Sequence, residues 1–175
     1  MTEDIILILQ FMLAPIVATT IAAFTIHYAK KSHKRTAMMD VFHMINNDLQ
    51  KTTEDKIIKL FKEEKLDEGL KNQEFYEYVK KVWRNYDQIG SLIKNGLIPK
   101  KEFYNLFGIK MTALYFCLLL EIERRRKTKP FSLLYFTNMA IDFFEYWTKK
   151  GNEIKNPRTN SPLKQSDLGE KIKIK

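Results

Sequence analysis

The residue types that could do chemistry in this chain of 175 residues are few: three histidines, one cysteine and several acids. His43 follows Asp40 by three positions and would share its helix face, but two ligands do not make a metal site. Cys117 lies in the apolar stretch MTALYFCLLL, whereas a reactive thiolate needs an accessible, electropositive environment. We therefore expect surface histidines, an ordinary buried cysteine and no metal.

Two pairs of acids are the remaining candidates for catalysis. Glu121 and Glu123 flank an apolar stretch, and Asp142 and Glu145 lie in an aromatic one, so each pair could supply an acid and a base. The sequence shows no nucleophile motif, oxyanion hole or phosphate loop beside them. We expect structural ion pairs, and neither an enzyme nor a cofactor. A membrane enzyme would need a cleft that joins Glu121, Asp142 or His43 to other polar groups.

The net charge of +9 comes from residues 30–51, 95–129 and 151–175, because the segments between them are neutral. The middle segment ends in a basic cluster that could contact an anionic partner. Basic residues at a helix end also complement its dipole, and no aromatic residue lies among them to stack on bases. We expect a helix end or a membrane-surface contact, with nucleic-acid or nucleotide binding as the alternative function. The cluster spans residues 124–129, and its candidate contacts to an anionic partner are Arg124, Arg125, Arg126 and Lys127.

The location of the whole chain in the cell depends on an apolar run at 5–28. Its central 22 residues, IILILQFMLAPIVATTIAAFTI, contain Gln10 as the only strongly polar side chain, and about 20 apolar residues suffice to cross a bilayer. A cleaved signal would begin with basic residues, but Glu3 and Asp4 come first. We therefore expect a single-pass anchor. The basic residues that follow it are Lys30, Lys31, Lys34 and Arg35.

This charge asymmetry predicts the orientation of the anchor. Positive charge gathers on the cytoplasmic flank of a span and is attracted to anionic lipid of the inner leaflet. We expect the N-terminus outside the cell membrane and the remaining domain in the cytoplasm. The solitary cysteine agrees with a reducing compartment, since it cannot form a disulfide within the chain.

Helical repeats dominate the rest of the sequence, and no strand pattern occurs. The predicted fold is all-α, with an anchor at 1–29, a juxtamembrane stalk at 30–51, a small cytoplasmic helical bundle at 52–150 and a flexible basic tail at 151–175. One apolar stripe, Met38, Phe42, Ile45 and Leu49, has helical spacing in the stalk. A longer heptad-like stripe in the bundle consists of Phe75, Val79, Val82, Tyr86, Ile89 and Ile93.

The helix that carries the longer stripe should end at Asn95 and Gly96, since both tolerate positive φ. Gly90 would let another helix approach this one closely. Residues 109–122 are apolar on nearly every side, which favours a buried or interfacial helix over a second span. Pro130 should open a last long helix.

Aromatic residues are more numerous than one small bundle needs for its interior. Aromatic side chains dominate the energetics of protein interfaces, so some of them should face a protein partner or a second copy of the chain. The alternative is that they only fill the core. The candidate interface residues are Tyr76, Trp83, Tyr146 and Trp147.

The middle of the chain carries a pattern of tryptophan, isoleucine and glycine, W-x5-I-G-x2-I-K-N-G-x-I, that starts at Trp83 and is followed by the pair Phe107 and Gly108. With it, the segment 83–147 resembles a family of bacterial and prophage-borne single-span membrane proteins catalogued only as a domain of unknown function. The resemblance implies a membrane-anchored helical domain and brings no catalytic residues. We therefore expect an interaction module, with host–phage conflict or membrane-level sensing as the more specific hypothesis.

Overall fold

The chain folds as helices throughout the residues that the computed structural model describes, which are 2–130 and 132–169, with side chains from residue 18 onward. Beside the helices these residues hold one isolated antiparallel bridge, between Lys155 and Pro162. The all-α prediction is therefore confirmed for this part of the chain. The elements are α1 (Thr2–Asn46), α2 (Asp48–Lys62), α3 (Leu66–Gly69), α4 (Gln73–Lys94), α5 (Lys100–Thr128), α6 (Leu134–Thr148) and a 3₁₀ helix (Gln165–Leu168).

α1 is one continuous helix of 45 residues, which joins the predicted anchor to the predicted stalk. It ends where Asn47 adopts an extended backbone and accepts a hydrogen bond from the Leu49 N–H at 3.0 Å, which caps α2. The stalk was expected to reach residue 51, whereas residues 48–51 belong to α2. The bundle therefore begins earlier than the sequence indicated.

The last turns of α1 pack against the bundle through a face that only partly matches the predicted stripe, because Ile45 is buried and Met38 packs on the core. Val41 and Ile45 are buried, whereas Phe42 and Leu49 of the predicted stripe are exposed. Neighbouring residues on a helix lie about 100° apart, so the burial of Val41 in place of Phe42 turns the buried face part of the way toward Val41. The contacts of α1 with α2 and α4 make that choice.

α4 lies at the centre of the bundle, with α2 and α6 packed on it. Its predicted stripe is buried from Phe75 to Ile89, and the helix ends at Lys94 before Asn95 and Gly96, whose φ is 70°. Both expectations are confirmed. Gly90 also has the predicted role, since a Cβ there would lie 2.7 Å from the backbone oxygen of Tyr135.

α5 runs without a break from Lys100 to Thr128, so the pair Phe107 and Gly108 does not mark a helix end. Gly108 is buried inside the helix, and the ring of Phe143 on α6 lies where its Cβ would be. Tyr104 contributes to the same contact, because its ring meets Phe143 edge to face at 5.2 Å. The glycine is therefore required for packing.

α6 begins at Leu134, later than Pro130, because side chains of other helices organise its start. Asp87 on α4 accepts a hydrogen bond from the Phe136 N–H at 2.9 Å, which satisfies a free amide of the first turn. Leu133, just before the helix, has a left-handed backbone with φ 57°. The start of α6 is thus determined by tertiary contacts.

The described part of the predicted tail is packed, so the expectation of a flexible tail is wrong for residues 151–169. Ile154, Leu163 and Leu168 are buried, and the Leu163 N–H donates to the Ile154 carbonyl at 2.8 Å. The hydroxyl of Tyr115 on α5 donates to the Leu168 carbonyl at 3.2 Å. Three well-placed apolar residues hold this polar segment on the bundle, and residues 170–175 lie outside the described residues.

The Gly90 contact predicts a large cost for a small substitution. Replacing Gly90→Ala should lower the free energy of unfolding by about 1–3 kcal/mol, because α6 must move away from the added methyl group. Alanine is the better helix former by about 1 kcal/mol, so Ser91→Ala on the same helix is the control. Denaturant unfolding of the detergent-solubilised protein measures both, and a more stable Gly90→Ala variant would contradict this packing.

Candidate functional site

Residues 18–36 of α1 do not pack on the bundle core. Every side chain from residue 18 to residue 36 is exposed, and packing on the core begins at Ala37. Large apolar side chains in this segment are more than half exposed, namely Ile21, Phe24, Ile26 and Tyr28. Apolar surface of this extent on a helix calls for a covering medium or partner. The predicted basic flank is exposed as well, at Lys30, Lys31, Lys34 and Arg35.

The structure describes only part of the predicted anchor, because the side chains of residues 1–17 lie outside the described part of the chain. Where side chains are described, α5 is the one helix long and apolar enough to cross a membrane, and 56% of its most apolar window is buried in the bundle. The core helix of a soluble protein has these same properties. The N-terminal span therefore stays a prediction.

The basic cluster at the end of α5 is divided between structure and surface. Arg125 lies over the Trp83 ring at 5.3 Å, and its Nε donates to Ser132 Oγ at 3.0 Å. Arg126 donates to the carbonyl oxygens of Ser132 and Leu133 at 3.2 and 3.3 Å. These two guanidinium groups hold the connection from α5 to α6.

The other two members of the cluster face solvent. Arg124 is 62% exposed and pairs with Glu121 one turn earlier, and Lys127 is exposed. A phosphate group would meet these two cations but not the guanidinium groups that the α5–α6 connection occupies. The structure therefore does not bring four cations together as an anion site.

The predicted interface aromatics also separate into two groups. Trp83 is fully buried, so its assignment to an interface is wrong: its ring packs edge to face on Tyr76 at 5.9 Å. Tyr76 is half-buried and donates to Glu121 at 2.9 Å. Tyr146 and Trp147 are half-buried on α6, where Trp147 stacks on Phe143 at 5.5 Å. Helix spacing alone could not distinguish these cases.

The candidate catalytic groups do not converge. Glu121 pairs with Tyr76 and Arg124, whereas Asp142 on α6 accepts from Lys100 Nζ at 2.9 Å. Burial raises the pKa of the Cys117 thiol to about 12, so it stays protonated at neutral pH. Within the described residues no three metal-ligating side chains cluster. The expectation of structural ion pairs is met at Glu121 and Asp142.

The most unusual polar group is Glu54, which the sequence analysis did not single out. Its side chain on α2 is fully buried, and Oε1 accepts from Tyr86 of α4 at 3.0 Å and from Gln50 at 2.6 Å. Lys110 of α5 places Nζ 2.9 Å from Oε2 and 3.1 Å from the exposed Asp55. One carboxylate thus joins three helices.

The electrostatics of this network follow from burial. Burial raises the pKa of Tyr86 well above its usual value, and the adjacent charge of Glu54 adds to the effect. Burial lowers the pKa of Lys110, but hydrogen bonds and charge from Glu54 and Asp55 outweigh it, so the net shift is upward. The phenol stays neutral and the ammonium stays charged at neutral pH. The arrangement pairs a buried carboxylate with a partly exposed ammonium group and with the neutral hydroxyl of Tyr86.

A sequence signal for this network did exist. Gln50, Glu54 and Ile57 are spaced by four and three residues, so two polar residues share a helix face with a buried isoleucine. A polar residue on a buried face needs a partner, because an unpaired one costs several kcal/mol. The partner could be identified only from the structure.

A small groove borders this network, between the end of α1, α2 and α4. Its volume is about 210 Å³, below the roughly 300–1,000 Å³ typical of ligand sites. Polar lining residues include His43, Lys81, Gln50 and Asn85, and Asn85 donates to Gln50 at 3.0 Å. The groove lining lacks a carboxylate, so His43 has no acid beside it there. We find no assembled catalytic group in this groove.

The network predicts that Glu54 stabilises the bundle. Replacing Glu54→Gln should lower the free energy of unfolding by about 1–3 kcal/mol, because the buried hydrogen bonds lose their charged acceptor. Asp55→Asn removes the exposed acid beside the same lysine and should cost less than about 1 kcal/mol. Denaturant unfolding of both variants measures the difference. Equal losses of unfolding free energy in the two variants would contradict a stabilising role for the buried Glu54 network.

The comparisons with known proteins identify a family. Residues 12–143, from α1 to α6, match the family model described as Domain of unknown function (DUF4760). This region is longer than the 83–147 on which the sequence resemblance rests. No curated protein and no solved structure is significantly similar to the chain. Because the match covers well over half of its length, the chain belongs to the DUF4760 family, a domain family of unknown function.

Proposed function

We propose that this protein is a membrane-anchored helical module that holds a protein partner, or a second copy of itself, at the inner face of the cell membrane. The observation that carries the proposal is α1, a single helix of 45 residues, or about 68 Å at 1.5 Å per residue. A bilayer core is about 30 Å thick. The helix is long enough to cross it and still reach the bundle core through Val41 and Ile45.

The charges around α1 support one orientation. The exposed cations Lys30, Lys31, Lys34 and Arg35 follow the apolar run directly, and the acids Glu3 and Asp4 precede it. Each exposed cation near an anionic surface contributes about 1 kcal/mol of attraction. The N-terminus is therefore outside and the bundle is cytoplasmic in this proposal.

An interaction role is favoured because the bundle leaves several large apolar side chains exposed. The bundle exposes large apolar side chains on α5, including Leu106, Ile109 and Leu120, and Phe42 on α1. Exposed apolar residues grouped on one face of a soluble domain mark interaction sites. The resemblance to prophage-borne membrane proteins supports a more specific role in host–phage conflict or membrane-level sensing.

The alternative, a membrane-tethered nucleic-acid or nucleotide binder, is less well supported. It would use the basic cluster at 124–129, of which Arg125 and Arg126 hold the start of α6 instead. Binding through phosphate contacts weakens steeply with added salt. Salt-insensitive association would therefore favour aromatic and aliphatic contacts.

Alkaline extraction tests the anchor. The full chain should remain in the membrane pellet after carbonate washing, because its span is buried in lipid. The double variant Leu13→Arg with Ile16→Arg, in the middle of the apolar run 5–28, should become extractable, since an arginine at the centre of a span costs about 2.5–3.5 kcal/mol. Leu97→Arg, at an exposed apolar residue after α4, is the control and should stay in the pellet. Extraction of the unaltered chain would refute anchoring.

The interaction role needs a separate measurement. After in-cell crosslinking and mild detergent extraction, the chain should have the mass of a homo-oligomer or of a complex with one defined protein. A lone monomer would contradict the role.

The orientation of the chain in the membrane can be measured by thiol labelling of intact cells in a Cys117→Ala background, where Thr2→Cys should react with an impermeant reagent and Lys149→Cys should not.

A further inference from the structure

α5 presents an apolar stripe that the described part of the chain leaves open. Leu106, Ile109 and Leu120 are 62%, 51% and 67% exposed, and Ala113 and Phe116 between them are partly exposed. These five residues are spaced by three, four, three and four positions. That spacing is the seam of a coiled coil, in which a second helix covers the stripe.

The opposite side of α5 already forms the core of the bundle, so the helix is apolar on two sides. Met111, Leu114 and Leu118 are completely buried there. α2 reaches one margin of the stripe, where Phe61 meets Phe116 at 5.7 Å. A helix that is apolar all round is normally surrounded by others, and the outer side of α5 lacks such a neighbour within the described residues.

The residues at the ends of the stripe indicate which partner covers it. Glu102 lies four residues before Leu106, and Glu123 lies three residues after Leu120, so both acids continue the same row. Both are exposed. The exposed Arg124 lies beside Glu123, so the two ends of the row differ in charge. An anionic lipid surface would attract the arginine but repel Glu102, whereas a protein helix can complement both ends.

The order of charges distinguishes between two orientations of a second copy. Glu102 and Arg124 are each eleven positions from Ala113, and Leu106 and Leu120 are each seven positions from it. In an antiparallel pair centred on Ala113, Glu102 of each copy faces Arg124 of the other, and Leu106 faces Leu120. A parallel pair would place like charges together, which is destabilising.

We propose that two copies of this chain pair through the outer face of α5, antiparallel, about a two-fold axis at Ala113. This inference rests on the proposed interaction role and names its partner. The contact is isologous, as in most closed dimers, and the small Ala113 lets the two helices approach at the axis. Phe42 of α1 widens the apolar surface, since its ring lies 6.2 Å from that of Phe107.

Disulfide crosslinking in isolated membranes tests this arrangement with the full chain. In a Cys117→Ala background, Ala113→Cys should form a disulfide-linked dimer under mild oxidation. Leu106→Cys and Leu120→Cys should each fail to self-link, because their own copies lie about 21 Å apart along the helix. Coexpressed, they should link to each other. Leu97→Cys, which is exposed but off the stripe, should give no dimer.

Each other outcome overturns the proposal in a recognisable way. Self-linking at Leu106→Cys and Leu120→Cys would show a parallel pair. If the chain is an oligomer by mass but forms no disulfide link at these positions, the interaction role stands and the oligomer forms through a surface other than the α5 stripe. A chain that is a monomer by mass and also forms no disulfide links would refute both the interaction role and the pairing through α5.

A charge exchange gives independent evidence of orientation. Glu102→Arg and Arg124→Glu should each reduce the dimer fraction at low salt several-fold, and the double variant should recover it. Both residues are exposed, so the bundle should keep its helical circular dichroism. If the double variant dimerises no better than either single one, the two ends do not face each other.

Discussion

The close contact between α4 and α6 at Gly90 is the constraint on which the rest of the bundle depends. It brings the backbone of Tyr135 to where a side chain of α4 would otherwise lie. Asp87, three residues earlier on α4, can then cap α6 at Phe136. The aromatic face of α6 is thereby placed on α5, where Gly108 accommodates it. A bulkier residue at Gly90 would disturb each of these contacts.

Some charged side chains also serve this packing. Arg126 holds the connection before α6, and Glu54 joins α2 to α4 and α5. Buried charges are tolerated only when paired, and here each has partners from another element. The surfaces left for function are therefore mainly apolar, on the exposed part of α1 and the outer side of α5. Such surfaces are consistent with the proposed binding role.

The proposed membrane anchor and the proposed dimer are linked through α1. Its last turns pack on the bundle through Val41 and Ile45, so the bundle is attached rigidly rather than through a loop. Phe42, on the neighbouring face, lies beside the α5 stripe. An α5 dimer would consequently bring two α1 helices into the same assembly. Pairing at the membrane surface would benefit from the raised local concentration of anchored copies.

Local periodicity and glycine chemistry determined much about this protein. The α4 stripe, the stop at Gly96 and the all-helical class follow from residue spacing and backbone preferences, which act over a few positions. Only the tertiary structure decided which sides of α1 and α5 are covered. It buried Trp83, exposed Leu120, gave Glu54 its partners and packed the polar segment 151–169. These outcomes depend on contacts between residues far apart in the chain, which no local pattern records.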